Sequence, residues 1–269
     1  MKLEVKHKNL RKILKDMGSV VVAFSGGADS ALVLKVAHDV LERKAVAATG
    51  VSPAVAVAEV EESRRVARLI GITHHVITSD PMENPVYREN GPGRCYACKE
   101  TLYLRISELA KRLEFRFLAN GTNQDDLRDF RPGLEAAKNF GVRSPLLEAG
   151  FNKKEIRELS RKLDLPTWDK PADACLSSRI PFGTPISEET LGKVEKAERF
   201  LKEEGFRLVR VRNHSEMARI EIPTEDFNRF LEPGRRNRIV QNLKKLGFRQ
   251  ITLDVQGYRQ GSMNPEEKS

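Results

Sequence analysis

Val20–Val21–Val22–Ala23–Phe24–Ser25–Gly26–Gly27–Ala28–Asp29–Ser30 runs straight into Ala31–Leu32–Val33–Leu34–Lys35. An apolar, β-branched run meets a Ser/Gly/Asp turn and then a helix-forming run. This order predicts a buried parallel strand, a tight loop and a helix start. The first N–H groups of a helix lack intrahelical partners and sit at the positive end of its dipole, so such a loop suits phosphate. Gly26 and Gly27 let the backbone approach an anion closely. The loop lacks the Gly-Lys-Ser/Thr ending of a Walker phosphate loop. Asp29 stands where that loop carries its lysine and is placed to hold magnesium instead.

The alternation of strand and helix signals continues downstream. Strands are predicted at Val20–Phe24, Val46–Val51, Thr73–Thr78 and Phe115–Ala119, and helices at Ser30–Leu41, Ala56–Ile70, Lys99–Leu113 and Lys153–Leu163. This is the rhythm of an α/β fold with a doubly wound parallel sheet, which binds ligands at the carboxyl ends of its strands. Three segments fall at such ends: Ser25–Ser30, Thr49–Pro53 and Asn120–Asp126. Asp125 and Asp126 read either as a second magnesium contact or as loop and helix caps.

Between Leu165 and Pro185 the chain turns Pro-rich, a structured connection that carries Cys175 and Arg179. A different order follows: a charged helix over Glu188–Glu204, strands at Phe206–Arg212 and Met217–Ile222, helical signals at Thr224–Leu231 and Arg235–Leu246, and a strand at Arg249–Val255. This predicts a second, smaller α+β domain, with boundaries at 1–179 and 180–269. The Met263–Ser269 tail is expected to fray. Alternation along the two strands sends Val209, Val211, Ala218, Ile220 and Ile222 inward and Arg210, Arg212, Arg219 and Glu221 to the other face. Two adjacent arginines suit a phosphate or carboxylate. The alternative reading of the same face is a solvated sheet surface with a cross-strand Arg–Glu pair.

At 269 residues, with 39% hydrophobic and 32% charged residues, the chain can build a sizeable core in one large domain or two modest ones. No apolar run approaches the roughly 20 residues that span a membrane. Met1 to Gly18 is Lys-rich and amphipathic with no signal-peptide core, so a cytoplasmic location is expected. The net charge of +9 suits anionic ligands, whether nucleotides, phosphorylated metabolites or RNA, and also fits a Lys/Glu-rich solvated surface.

Three cysteines in such a chain argue against a disulfide framework. Cys95 and Cys98 form a Cys-x-x-Cys pair, and Cys175 lies far away. Three thiolates suit a cubane [4Fe-4S] cluster with one iron left open. A catalytic cysteine without a cluster, a zinc site and three inert thiols are the alternatives.

The Ser-Gly-Gly-Ala-Asp-Ser loop resembles that of the PP-loop ATP pyrophosphatase superfamily. A wider set of segments narrows the likeness: Arg94–Cys95–Tyr96–Ala97–Cys98–Lys99, Asn120–Gly121–Thr122–Asn123, Gly141–Val142–Arg143–Ser144–Pro145–Leu146, Asp173–Ala174–Cys175–Leu176–Ser177–Ser178–Arg179, the Val211–Arg212 hairpin with Ala218–Arg219–Ile220–Glu221, and Gly257–Tyr258–Arg259. Together they resemble the LarE family, across nearly the whole chain.

The resemblance implies an adenine nucleotide α-hydrolase-like fold and ATP-dependent sulfur transfer to the carboxylates of pyridinium-3,5-biscarboxylic acid mononucleotide, on the way to a nickel-pincer nucleotide. Three cysteines match its cluster-bearing branch, with Cys95, Cys98 and Cys175 as ligands. The implied cofactors are ATP, Mg2+ and the [4Fe-4S] cluster. Ser25, Gly26, Gly27, Asp29 and Ser30 would hold the ATP phosphates and magnesium, and Gly50 and Thr122 would border the adenosine. Arg179 and Arg210 would meet the mononucleotide. Cys175, Asp29, Arg212 and Glu221 are the catalytic candidates. The expected partners are a small-molecule mononucleotide, sulfide or another sulfur donor and further copies of the chain, with no membrane and no nucleic acid. The rival readings are a tRNA thiolase of the same superfamily, an amidating synthetase and a non-enzymatic sensor.

Overall fold

The computed structural model describes residues 2–128, 132–171 and 174–259; the Met263–Ser269 tail lies outside them. Two compact units form, one from residues 2–87 and 92–171 and the other from 88–91 and 174–259.

The first unit carries α1 (Leu3–Met17), β1 (Val20–Ala23), α2 (Ala28–Leu41), β2 (Ala45–Val51), α3 (Val57–Ile70) and β3 (His74–Thr78). The short α4 (Pro85–Arg88), α5 (Arg94–Arg112), β4 (Phe117–Ala119), α6 (Pro132–Asn139), the short α7 (Pro145–Glu148) and α8 (Lys153–Lys162) follow. The strands lie parallel in the order β3-β2-β1-β4. Both faces are covered. Val20 and Val22 pack with Ala45 and Ala47 against α1, α2, α3, α7 and α8. Val21 turns the other way and packs with Val46 and Ala48 against α5 and α6. A sheet buried on both faces needs continuous apolar strands, which is why the Val20–Ala23 run does not alternate with polar residues.

Chain order reverses beside β1, whose neighbours are β2 and β4. The loops after β1 and β4 therefore flank the crevice where doubly wound sheets bind ligands. Helix α5 begins at Arg94, five residues before the predicted start. The Gly91–Pro92–Gly93 breaker ends just before the cysteine pair, and Cys95 and Cys98 lie in the first turns of the helix.

The second unit carries α9 (Glu188–Glu203), β5 (Arg210–His214), β6 (Met217–Glu221), the short α10 (Phe227–Leu231), α11 (Pro233–Lys245) and β7 (Gln250–Leu253). β5 and β6 pair antiparallel, and β6 and β7 parallel. Val209, Val211, Ala218, Ile220 and Ile222 turn inward onto Ala197, Leu201, Ile239, Leu243 and Phe248. A two-residue loop closes the hairpin, with Ser215 in the left-handed region. Among the described residues no helix is long and apolar enough to cross a membrane.

Leu34 is fully buried in the core under β1. Leu34→Ala should cost about 2–5 kcal/mol, read as a lowered denaturant midpoint; a midpoint within error of the parent would contradict this packing.

Candidate functional site

The loop after β1 tightens onto itself. Ser25 Oγ and Ser30 Oγ lie 3.2 Å apart, Ser30 Oγ donates to the Gly27 carbonyl at 3.3 Å, and Gly27 N–H donates to Ser25 Oγ at 3.4 Å. Gly26 has φ +73°, a conformation glycine adopts at no steric cost. Gly27 caps α2, and Asp29 lies in the first turn of that helix. The loop after β4 meets the same helix end. A Cβ on Gly121 would sit 2.7 Å from Ser30 N and 3.0 Å from the Asp29 carbonyl carbon. Only glycine allows that approach.

Two lysines complete the loop. Lys153, the first residue of α8, sets Nζ 2.7 and 2.5 Å from the two Asp29 oxygens. Lys170 Nζ donates to the Gly26 carbonyl at 3.2 Å and pairs with Glu59 at 2.7 Å. Burial pushes the Asp29 carboxyl above the usual carboxylate range, with Asp126 adding to the rise and Lys153 opposing it. Asp125 accepts Lys153 N–H at 2.7 Å, and Asp126 accepts Asn123 N–H at 3.0 Å. Both carboxylates therefore serve as loop and helix caps. Asn120 Oδ1 accepts from Thr122 N–H and Ser144 Oγ, which fixes the backbone around Gly121 and Thr122.

At the end of β2, Gly50 lies close to Ser79 and Leu102; a Cβ on it would come within 2.5 Å of Leu102 Cδ1. Beside Gly50, Thr49 Oγ1 donates to the Phe24 carbonyl at 2.7 Å and lies 2.8 Å from His74 Nε2. A neutral imidazole with its proton on Nε2 satisfies both contacts. Burial, with help from Arg64 and His75, lowers the His74 pKa to about 4.

In the second unit the hairpin face predicted to meet solvent or an anion is buried. Arg210, Arg212 and Glu221 are 4%, 5% and 0% exposed. Arg212 directs Nε and Nη2 to Glu221 Oε2 at 3.0 and 2.7 Å and Nη1 to the Ser178 carbonyl at 3.0 Å. Arg219 reaches Glu221 Oε1 at 3.1 Å. Arg210 bonds the Val209 carbonyl at 2.8 Å and lies over the Tyr258 ring. Arg179 forks onto Glu198, with Nε and Nη2 at 2.9 and 3.1 Å from its two oxygens. Its Nη1 donates to the carbonyls of Ala174 and Cys175 and to Ser178 Oγ. Arg179 is thus held among protein groups, and its geometry does not place it as an open phosphate ligand.

None of the three cysteines forms a disulfide, and Cys95 and Cys175 are exposed. Cys95 and Cys98 belong to the first unit and Cys175 to the second. Among the described residues no group of three or more His, Cys, Asp or Glu side chains is gathered as a metal ligand set. For magnesium the donors do fit: Asp29 presents a carboxylate beside the phosphate loop, and Mg2+ is usually held by one or two carboxylates plus substrate phosphates.

No family model matches the chain. An uncharacterized protein of Synechocystis sp. is 44% identical over 97% of the chain and 98% of its own length. The pyridinium-3,5-bisthiocarboxylic acid mononucleotide synthase of Lactiplantibacillus plantarum is 38% identical over 97% of the chain and 95% of its own length. The chain belongs to the LarE family. It is an ATP-dependent enzyme of the PP-loop superfamily. Distant matches within that superfamily include a glutamine-hydrolyzing GMP synthase of Methanocella arvoryzae (26% identical, 66% of the chain, 59% of that protein) and a tRNA-specific 2-thiouridylase of Rickettsia typhi (27%, 66% and 62%).

Lys153 and Lys170 escaped the sequence reading of this LarE-family chain. They stand 124 and 144 residues from their partners Asp29 and Gly26. The one local hint was Asn152 followed by Lys153–Lys154–Glu155, a capping box that starts α8 and fixes where Lys153 emerges.

Two measurements test the site. Lys153→Met strips the half-buried Asp29 carboxylate of its counter-ion. The acid limb of the rate–pH profile for pyrophosphate release should move to higher pH, and the KM for ATP should rise; an unmoved limb would remove Asp29 as the titrating group. His74 has a folded pKa of about 4 against about 6.5 unfolded. The unfolded chain therefore binds more protons between those values, and stability falls as pH drops from about 6.5 towards 4. Denaturant midpoints measured across that window should show a shallower fall in His74→Gln.

Proposed function

We propose that the chain adenylates a carboxylate of pyridinium-3,5-biscarboxylic acid mononucleotide with ATP and replaces the AMP with sulfur. The observation that carries this reading is the near-full-length relationship to the Lactiplantibacillus plantarum synthase. The loop geometry supports its first half.

A carboxylate is a poor acceptor because its leaving group would be oxide. Its oxygen attacks the α-phosphorus of ATP and pyrophosphate departs. Ser25, Gly26, Gly27 and Ser30 would cradle the phosphates, with the helix end of α2 facing the charge that builds on pyrophosphate. Asp29 would hold Mg2+, which when bound neutralises that charge. Lys153 and Lys170 add positive charge on either side of the loop. Gly50 and Thr122 border the adenosine. In the second unit, Arg212 keeps its buried pairing with Glu221 and Arg210 its place over the Tyr258 ring, so neither is assigned a direct contact with the mononucleotide. A reduced sulfur nucleophile then attacks the acyl carbon; a C–S bond forms, the C–O bond to phosphate breaks, and AMP leaves with the original oxygen. Cys175 is assigned to sulfur delivery. The scheme routes no step through iron.

The test is pyrophosphate release by the anaerobically purified protein. Release should require ATP, Mg2+ and the pyridinium dicarboxylate mononucleotide together, and Asp29→Asn should lower kcat/KM by about 10²–10³-fold. Release stimulated by tRNA and not by the mononucleotide would overturn the reading in favour of a thiolase. Iron and labile-sulfide analysis on the same preparation identifies the sulfur source. About four of each per chain assigns it to a cluster. None of either leaves Cys175 as donor: once its sulfur is bonded to the acyl carbon, the Cβ–Sγ bond breaks with loss of the Cα proton, and the resulting dehydroalanine is detected after one turnover.

A further inference from the structure

Arg179 is 1% exposed, and Glu198 is 3% exposed. Nε and Nη2 of Arg179 are fixed in a fork by Glu198, whose Oε1 also accepts Val211 N–H at 3.0 Å. Nη1 then binds the carbonyls of Ala174 and Cys175, which belong to the two peptide groups flanking the Cys175 Cα. Ser178 N–H donates to the Cys175 carbonyl at 3.0 Å as well, and Arg212 Nη1 donates to the Ser178 carbonyl. The backbone of Cys175 is thus tied to α9 and β5 through charge-assisted bonds that are buried at the Glu198 end, while the cysteine itself stays exposed. A reactive group on a fixed mount is pre-oriented, and a displacement of about 1 Å can cost on the order of 100-fold in rate.

We propose that Arg179 is a positioning residue for Cys175: held by Glu198, its guanidinium fixes both peptides around the cysteine and so aims the thiol. This rests on the assignment of Cys175 to sulfur delivery. Lysine keeps the charge opposite Glu198 but lacks the fork that reaches two carbonyls and a carboxylate at once. Arg179 touches no substrate in this account and acts through the cysteine backbone.

The experiment compares parent, Arg179→Lys and Glu198→Gln. Two ratios are read: thiocarboxylate formed per pyrophosphate released, and the rate of Cys175 alkylation by iodoacetamide relative to Cys95, resolved by peptide mass spectrometry. A positioning role predicts a fall of about 10–100-fold in the first ratio and a clear change in the second for Arg179→Lys, with Glu198→Gln in between. A merely structural role lowers the melting temperature but leaves both ratios at the parent value, and that result overturns the proposal. If Arg179→Lys does not fold, Glu198→Gln decides alone, because its amide oxygen still accepts from the fork without the charge. A parent protein that releases no pyrophosphate with the mononucleotide rejects the proposed function instead; the alkylation ratio still reports on the clamp.

Discussion

A carbon atom that is missing sets the geometry of the phosphate loop. Gly121 brings the backbone after β4 so close to the start of α2 that a Cβ would overlap Ser30 N. β1 and β4 are neighbours in the sheet, so their loops diverge to helices on opposite faces and pass each other at this point. The first turn of α2 is pressed between them with its N–H groups facing the crevice. The same β4 loop also holds the start of α8, through Asp125 and Lys153 N–H. On α8, the Asn152–Glu155 capping box is locked by Lys6, which bonds Glu155 and the Gly150 carbonyl at 2.6 Å. Lys153 therefore rises from a helix end held from two sides.

That rigidity explains an electrostatic arrangement that looks paradoxical at first. A carboxylate at a helix N-terminus is favoured by the dipole, yet burial raises the Asp29 pKa. Lys153 supplies the counter-charge at contact distance. Lys170 supplies another at the Gly26 carbonyl and is itself balanced by Glu59. The loop therefore holds cations against its acidic and carbonyl groups. On the proposed reading, nucleotide phosphates would supply negative charge to those lysines, and the Asp29 carboxylate would be the group to hold magnesium.

Much of the first unit was legible in the sequence because strand and helix signals there are local. The Val20–Val22 run, the glycines after it and the helix-forming stretch from Ala31 each carry their meaning within a few residues, and the parallel sheet follows from their repetition. What was illegible depends on distance along the chain. Nothing near Asp29 announces Lys153, and nothing near Gly26 announces Lys170. The start of α5 was misplaced for a different reason. Gly91–Pro92–Gly93 marks a break, and the helix begins directly after it at Arg94, with the cysteine pair in its first turns. Asp125 and Asp126 carried two readings, and the hydrogen bonds from Lys153 N–H and Asn123 N–H show the capping one.

The second unit shows a sharper limit of periodicity. Alternation correctly sorts Val209, Val211, Ala218 and Ile220 from Arg210, Arg212, Arg219 and Glu221, but a period of two says only that two faces exist. It cannot say that the second face is buried, since that depends on what covers it. Burial changes the chemistry of the face: charges there must be paired, and Arg212, Arg219 and Glu221 form a network instead of a row of solvated side chains. The spacing of Cys175 and Arg179 has the same ambiguity. Four residues after Cys175, Arg179 reads as a candidate for the mononucleotide phosphate. In the folded chain that spacing is the length of one 3-10 turn, Leu176–Arg179, which returns the guanidinium to the carbonyl of the residue preceding the turn. The spacing is accounted for by backbone geometry, and the arginine's chemistry is turned towards the cysteine's own peptide groups rather than towards solvent.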